Sequence, residues 1–170
     1  MRSLDLADLI ITQANATHHS ITNLHLQRIL YFLHVQSLLL NHQPLVTDER
    51  FVKYDYGPTL KSVYNEYASV FAGNPIPKCL THYSLYHDAK TDRYETRAHT
   101  FDPAQFQRAY PATVAFVNQH LATWLAYDPF DLVTFSQQET QWQDRRHPWY
   151  DDQKTDHYWR RKGHQFWHQP

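Results

Sequence analysis

The segment from residue 22 to residue 41 most limits what this chain can become. Leu24, Leu26, Ile29, Leu30, Phe32, Leu33, Leu38, Leu39 and Leu40 recur at helical spacing there and cover more than one face of the helix they define. A surface helix carries one apolar stripe, so a helix that is apolar on several faces has to be enclosed by other elements. The segment therefore reads as the central helix of the core. Thr22 can cap it by accepting a hydrogen bond from a free N–H of the first turn, and Asn41-His42-Gln43-Pro44 ends it.

The rest of the chain supplies what encloses that helix. Leu4, Leu6, Leu9, Ile10 and Ala14 predict a short amphipathic helix, broken by His18-His19-Ser20. Gly57-Pro58 reads as the start of a third helix, with Gly allowing a tight backbone and Pro at the first helical position, where its missing N–H costs nothing. Val63, Tyr64, Tyr67, Val70 and Phe71 would be its buried stripe, and Asn74-Pro75-Ile76-Pro77 stops it. The period then changes to two. Tyr83 and Leu85, then Tyr94, Thr96 and Ala98 alternating with Arg93, Glu95, Arg97 and His99, predict a β-hairpin over about 81–100 that turns at Asp88–Asp92. Helical spacing returns with Phe106, Tyr110, Val114, Val117, Leu121 and Trp124. Pro111 starts a helix of about 111–126 or kinks one, and a shorter helix follows Asp128-Pro129. The expected fold is mainly α, a compact single helical domain over residues 1–170 with a small β-hairpin inserted.

Composition narrows the function. A chain of 170 residues buries roughly 70% of its unfolded surface and needs neither disulfides nor a structural metal. Its three glycines, Gly57, Gly73 and Gly163, are too far apart for a dinucleotide fingerprint or a phosphate-cradling loop. The single Cys79 excludes an internal disulfide, a zinc ribbon and a CxxC pair, and Asp5 and Asp8 interrupt the N-terminal apolar positions, against a secretory signal. The longest apolar run, Ile29 to Leu33, falls far short of the roughly 20 residues that span a bilayer. A cytoplasmic protein without a membrane partner is expected. The formal net charge of −1, with the 13 histidines neutral, offers no general attraction to phosphate or anionic lipid.

Several residue groups are candidates for a site. His164 and His168 stand at i, i+4 spacing, which places two imidazoles on one helical face, but no third ligand is evident, so neither a metal nor a cofactor is assigned. Asp55, Glu66, His147, Asp151 and Asp152 could serve a hydrolase, yet no spacing ties them together. A nucleophile elbow is missing and nothing marks Cys79, beside Lys78, as an activated thiolate, so no catalytic residue is named. Residues 145–170 hold six Lys+Arg and three Asp, a net of +3, among Trp149, Tyr150, Trp159, Phe166 and Trp167. Such a mixture can stack on unpaired bases, but a nucleic-acid module is usually far more basic. Trp, Tyr and Arg are also the anchors of protein interfaces. In Tyr54-Asp55-Tyr56-Gly57-Pro58, Gly57 and Pro58 read as backbone punctuation, which leaves Asp55 and both tyrosines for other work. The candidate partner-contact residues are Tyr54, Asp55, Tyr56, Trp142, Arg145, Arg146 and Trp149, aromatic or polar-tipped groups in expected loops.

Taken together, Ile21-Thr22-Asn23-Leu24-His25-Leu26-Gln27-Arg28-Ile29-Leu30-Tyr31-Phe32, Pro44-Leu45, Phe51-Val52-Lys53-Tyr54, Tyr56-Gly57-Pro58 and Val63-Tyr64, with Phe135-Ser136, Thr140 and Pro148-Trp149 further on, resemble the Panacea domain, the family of SocA-like antitoxins and phage-associated GepA-like proteins. The resemblance spans about residues 4–167. Tyr54 stands where the family usually has Trp, Thr59 where it favours Val and Gln141 where it often has His, which implies a divergent member. The resemblance implies a mainly helical antitoxin of a toxin–antitoxin system that neutralises a cognate toxin by direct binding. The toxin is expected to be a separate protein encoded by an adjacent gene. The alternatives are a proteolytic adaptor that delivers the toxin to a protease, and a hydrolase or nucleic-acid-binding phage protein.

Overall fold

The computed structural model describes residues 1–144 and 146–163. Among them are eight helices: α1 (Ser3–Ala16), α2 (Asn23–Asn41), α3 (Lys61–Phe71), α4 (Pro103–Ala109), α5 (Pro111–Leu125), α6 (Pro129–Gln137), α7 (Thr140–Gln143) and α8 (Asp152–Lys162). Two antiparallel pairs complete the fold, β1 (Val52–Tyr54) with β2 (Gly57–Thr59) and β3 (His82–Asp88) with β4 (Arg93–His99). The architecture is mainly α.

Helix α2 is enclosed as its sequence requires. Sixteen of its 19 residues are buried, and it packs against α1, α3, α5, α6, α8 and β2. The Thr22 hydroxyl accepts from the His25 N–H, and His42 closes the other end with φ of 56°. Phe32 stacks on Trp124 of α5 with ring centroids 4.8 Å apart, and Tyr31 meets Phe51 edge-on at 5.3 Å. A helix buried all round also buries its polar side chains, and each of those needs a partner. Trp124 Nε1 donates to Gln36 Oε1 (2.7 Å), the Leu60 N–H to Gln27 Oε1 (2.9 Å) and the Val46 N–H to His34 Nδ1 (3.2 Å). With Nδ1 accepting, His34 Nε2–H donates to Asp152 at the start of α8, 3.1 Å away. These bonds fix which neighbour sits against which turn of α2.

The structure corrects the reading of Gly57-Pro58. It opens no helix: Gly57 and Pro58 lie in β2, and α3 starts three residues later at Lys61. Gly57 has φ of +103°, which follows the two-residue turn Asp55-Tyr56 and returns the chain antiparallel to β1, in register Val52↔Thr59, Lys53↔Pro58 and Tyr54↔Gly57. The expected stripe of α3 is also narrower. Val63 and Tyr67 are buried, whereas Tyr64 and Val70 are exposed and Phe71 is half-buried. Helix α3 packs on α1 and α2 along one side only, and Tyr64 turns instead to Tyr54, edge-on at 5.3 Å.

The 82–99 hairpin forms with Asp88↔Arg93 closest to its turn. Its alternation does not bury a face, since Tyr83, Leu85 and Tyr94 are each about 70% exposed. The hairpin is held at its base. There the buried His82 donates from both nitrogens, Nε2 to Asp8 of α1 (2.8 Å) and Nδ1 to Glu66 of α3 (2.9 Å), and Tyr67 OH donates to the same Asp8 carboxylate. Pro111 starts α5 where the sequence allows a start or a kink, but the preceding segment folds as a separate helix, α4, capped by Asp102, which accepts from the Ala104 and Gln105 N–H groups. Asp128 caps α6 in the same way through the Phe130 N–H (2.8 Å). Among the described residues no helix is long and apolar enough to cross a membrane.

Candidate functional site

The β1–β2 turn is built from the inside outward. Arg28, in the second turn of the apolar helix α2, has no exposed surface. Its guanidinium donates to the Pro58 carbonyl, to Ser136 Oγ (3.2 Å) and to Thr59 Oγ1 (3.4 Å), and burial lowers its pKa to about 10. A buried charge has to be met by oriented dipoles, and here the strand that returns from the turn supplies them. Gly57 leaves the room: a Cβ at that position would collide with Arg28 Nη1 and stand 2.6 Å from Ser136 Oγ. The tightness inferred for Gly57 is real, but its cause is a buried arginine rather than the start of a helix.

On its outer side β1 gains a second partner, the 148–150 segment. The Lys53 N–H donates to the Pro148 carbonyl (2.8 Å), the Tyr150 N–H to the Phe51 carbonyl (2.7 Å), and Val52 bridges Trp149. The turn itself is tied down by side chains. Trp142 Nε1 donates to the Tyr54 carbonyl (3.3 Å) and Gln137 Nε2 to the Asp55 carbonyl (2.8 Å). Lys53 Nζ reaches the Asp144 carbonyl (2.6 Å), and the Asp144 carboxylate in turn takes both Nε and Nη2 of Arg146 (2.8 and 2.9 Å). That fork holds the Asp144 carboxyl well below the usual carboxylate range and raises Arg146.

Six of the seven candidate contact residues thus come together around β1, although nearly 90 residues of chain separate Tyr54 from Trp142. Tyr54 and Trp142 share a hydrogen bond, Asp55 and Tyr56 form the exposed turn, Arg146 hangs from Asp144, and Trp149 lies beside Val52 with 46% of its surface exposed and its ring stacked on His147. The seventh, Arg145, lies outside the described residues. A groove of about 870 Å³ runs along the other side of the turn, between Tyr54, Tyr56, Tyr64 and the Asp128-Pro129-Phe130 start of α6.

The hydrolase candidates are not assembled into a site. Glu66 is committed to His82, Asp55 sits on the exposed turn and His147 stacks on Trp149. Asp151 caps α8 through the Lys154 N–H, and Asp152 accepts from His34. Cys79 is half-buried and donates to the Asp8 carbonyl (3.3 Å), and burial pushes its thiol up to about 11, the reverse of nucleophile activation. Among the described residues no three His, Cys, Asp or Glu side chains gather as metal ligands, and His164 and His168 lie outside those residues.

Two buried polar clusters have no counterpart in the sequence motifs. One is the His82–Asp8–Glu66 cluster, where the hydrogen bond to Asp8 raises His82 to about 9 and Glu66 adds to it. The other centres on Glu139, fully buried between α6 and α7. It accepts from Tyr31 OH, Gln141 Nε2, Thr155 Oγ1 (3.2 Å) and Trp159 Nε1 (3.3 Å), while burial raises its pKa. Gln141 also donates to Thr155 Oγ1 (2.6 Å), so its amide has a structural duty here. The signal for Arg28 is visible in the sequence: a lone charge inside an apolar helix has to be met by something buried.

The family model for the SocA-like antitoxins, Panacea domain, matches residues 26–143, more than half of the chain. The match begins in α2, contains the whole β1–β2 turn and ends at Gln143, beside Trp142. No curated protein and no solved structure matches the chain.

Proposed function

This chain belongs to the SocA-like antitoxin family with the Panacea domain, and from that membership we infer that it neutralises a cognate toxin by binding it directly. An antitoxin-type role comes with the family. The observation that carries the binding reading is the meeting of Tyr54, Asp55, Tyr56, Trp142, Arg146 and Trp149 around one strand. Large aromatic and guanidinium groups of this kind bury much area at a small entropic cost, as interface anchors do. The turn beneath them is held by Arg28, Gln137 and Trp142, so the surface is ordered before a partner arrives. The partner is the product of an adjacent gene.

Co-expression tests this. The adjacent open reading frame is expressed alone and with this chain, and the complex is purified from the rescued culture. Growth rescue with a stoichiometric complex is expected, and Tyr56→Ala with Trp149→Ala should weaken it by at least about tenfold while the variant stays folded. Rescue with falling toxin abundance would replace sequestration by delivery to a protease. Rescue without a complex and with stable toxin would overturn the binding reading.

A further inference from the structure

We propose that the groove beside the Tyr54–Tyr56 turn receives an arginine side chain from the partner toxin, an inference that rests on the antitoxin reading above. The groove of about 870 Å³ has a rim of paired rings. Tyr56 meets Phe130 edge-on at 6.4 Å and Tyr54 meets Tyr64 at 5.3 Å; Tyr56 and Phe130 are each 60% exposed and Tyr64 is 40% exposed. Rings this exposed offer aromatic surface to a ligand, and a guanidinium is the cation that stacks best on such rings.

The charges on the groove point the same way. Two cations line it, but both are turned inward: Arg28 is fully buried on Pro58, Thr59 and Ser136, and Lys53 donates to the Asp144 carbonyl. The charges left facing water are the carboxylates of Asp55 and Asp128, each exposed and next in sequence to an aromatic rim position or separated from it by one residue. Neither forms a salt bridge among the described residues. A rim of carboxylates and rings therefore complements a cation.

The floor of the groove distinguishes guanidinium from ammonium. Asn23, in the first turn of the 19-residue helix α2, is 6% exposed, lines the groove, and has an Oδ1 with no hydrogen-bond partner. A buried acceptor without a donor is costly, and a ligand that brings several N–H groups in one plane can supply Asn23 while it pairs with a carboxylate. Arginine does both; a point-charge ammonium does not stack in the same plane.

The test has two arms. The tripeptide acetyl-Gly-Arg-Gly-amide is titrated into the free chain and followed by NMR, with the citrulline tripeptide as the uncharged isostere and the glutamate tripeptide as the opposite charge. Shifts confined to Asn23, Tyr54, Tyr56, Tyr64 and Phe130 with arginine alone are expected. Equal response to citrulline, preference for glutamate, or shifts scattered over the surface overturn the proposal. In the second arm the purified toxin complex is measured with Asp55→Asn and Asp128→Asn combined; Asn keeps the α6 cap. The Kd should rise at least tenfold and lose most of its salt dependence, with Tm unchanged. An intact complex with unaltered Kd removes the groove from the interface and leaves the antitoxin reading standing. If the wild type forms no complex at all, the antitoxin reading falls, and the tripeptide arm still decides what the groove takes.

Discussion

Gly57→Ala is the sharpest perturbation of the platform that carries the candidate site. Two costs add. An L residue at φ of +103° is strained, by about 1–2 kcal/mol. The new methyl group also occupies the place of Arg28 Nη1 and comes within 2.6 Å of Ser136 Oγ, so the guanidinium has to leave its buried acceptors; losing a hydrogen bond to a charged group costs about 1.5–3 kcal/mol. Together the change should destabilise the fold by about 3–5 kcal/mol. For a chain of this length each kcal/mol corresponds to about 2–4 °C in Tm, so a fall of about 10 °C is expected by calorimetry. Gly73→Ala is the internal control: a methyl group added there would meet no atom within 4 Å and its φ is not positive, so its Tm should match or slightly exceed the wild type. A Gly57→Ala Tm within about 3 °C of the Gly73→Ala value would refute the claim that Arg28 and the turn exclude each other's extra atoms.

Two further outcomes follow from the buried clusters. His82 is raised to about 9 by Asp8 and Glu66, above its ordinary 6.5; its contribution is therefore complete below about pH 6.5 and is lost as pH rises through about 9. Urea melts at about pH 6.5 and about pH 9.5 should show the wild type losing on the order of 2 kcal/mol more than His82→Gln; identical losses would mean that His82 is neutral between its two carboxylates. Glu139→Ala leaves Tyr31, Gln141, Thr155 and Trp159 without their shared acceptor and should cost at least about 1–3 kcal/mol, the cost of one orphaned buried donor. A urea midpoint unchanged in that variant would show that water or another acceptor replaces the carboxylate.

Much of the helical framework is legible locally because its causes are local. Thr22, Asp128 and the proline after Asp128 act within one turn, and α2 and α6 start where they stand. Pro111 likewise starts α5, and the two-residue period of 82–99 survives as a hairpin. The turn at Gly57 is not legible in this way, because Gly-Pro is compatible both with the first turn of a helix and with a strand, and what chooses between them is Arg28, 29 positions earlier in sequence. The stripe on α3 is narrower than its spacing suggests for a related reason. Periodicity shows which residues share a face, but not how wide a neighbour covers it.

The candidate site divides along the same line. The amino-acid order alone determined the residue types that anchor interfaces, the family motifs that contain them, and the buried central helix, since these depend on composition and on spacing within one element. Only the tertiary structure decided that Tyr54, Trp142, Arg146 and Trp149 stand around one strand, through bonds such as Trp142 Nε1 to the Tyr54 carbonyl and the bridge from Val52 to Trp149. It alone committed Glu66 to His82, and it alone paired Tyr56 with Phe130 above a groove. The physical reason is that hydrogen bonds and ring contacts act over a few ångströms of space, whereas sequence patterns register neighbours along the chain.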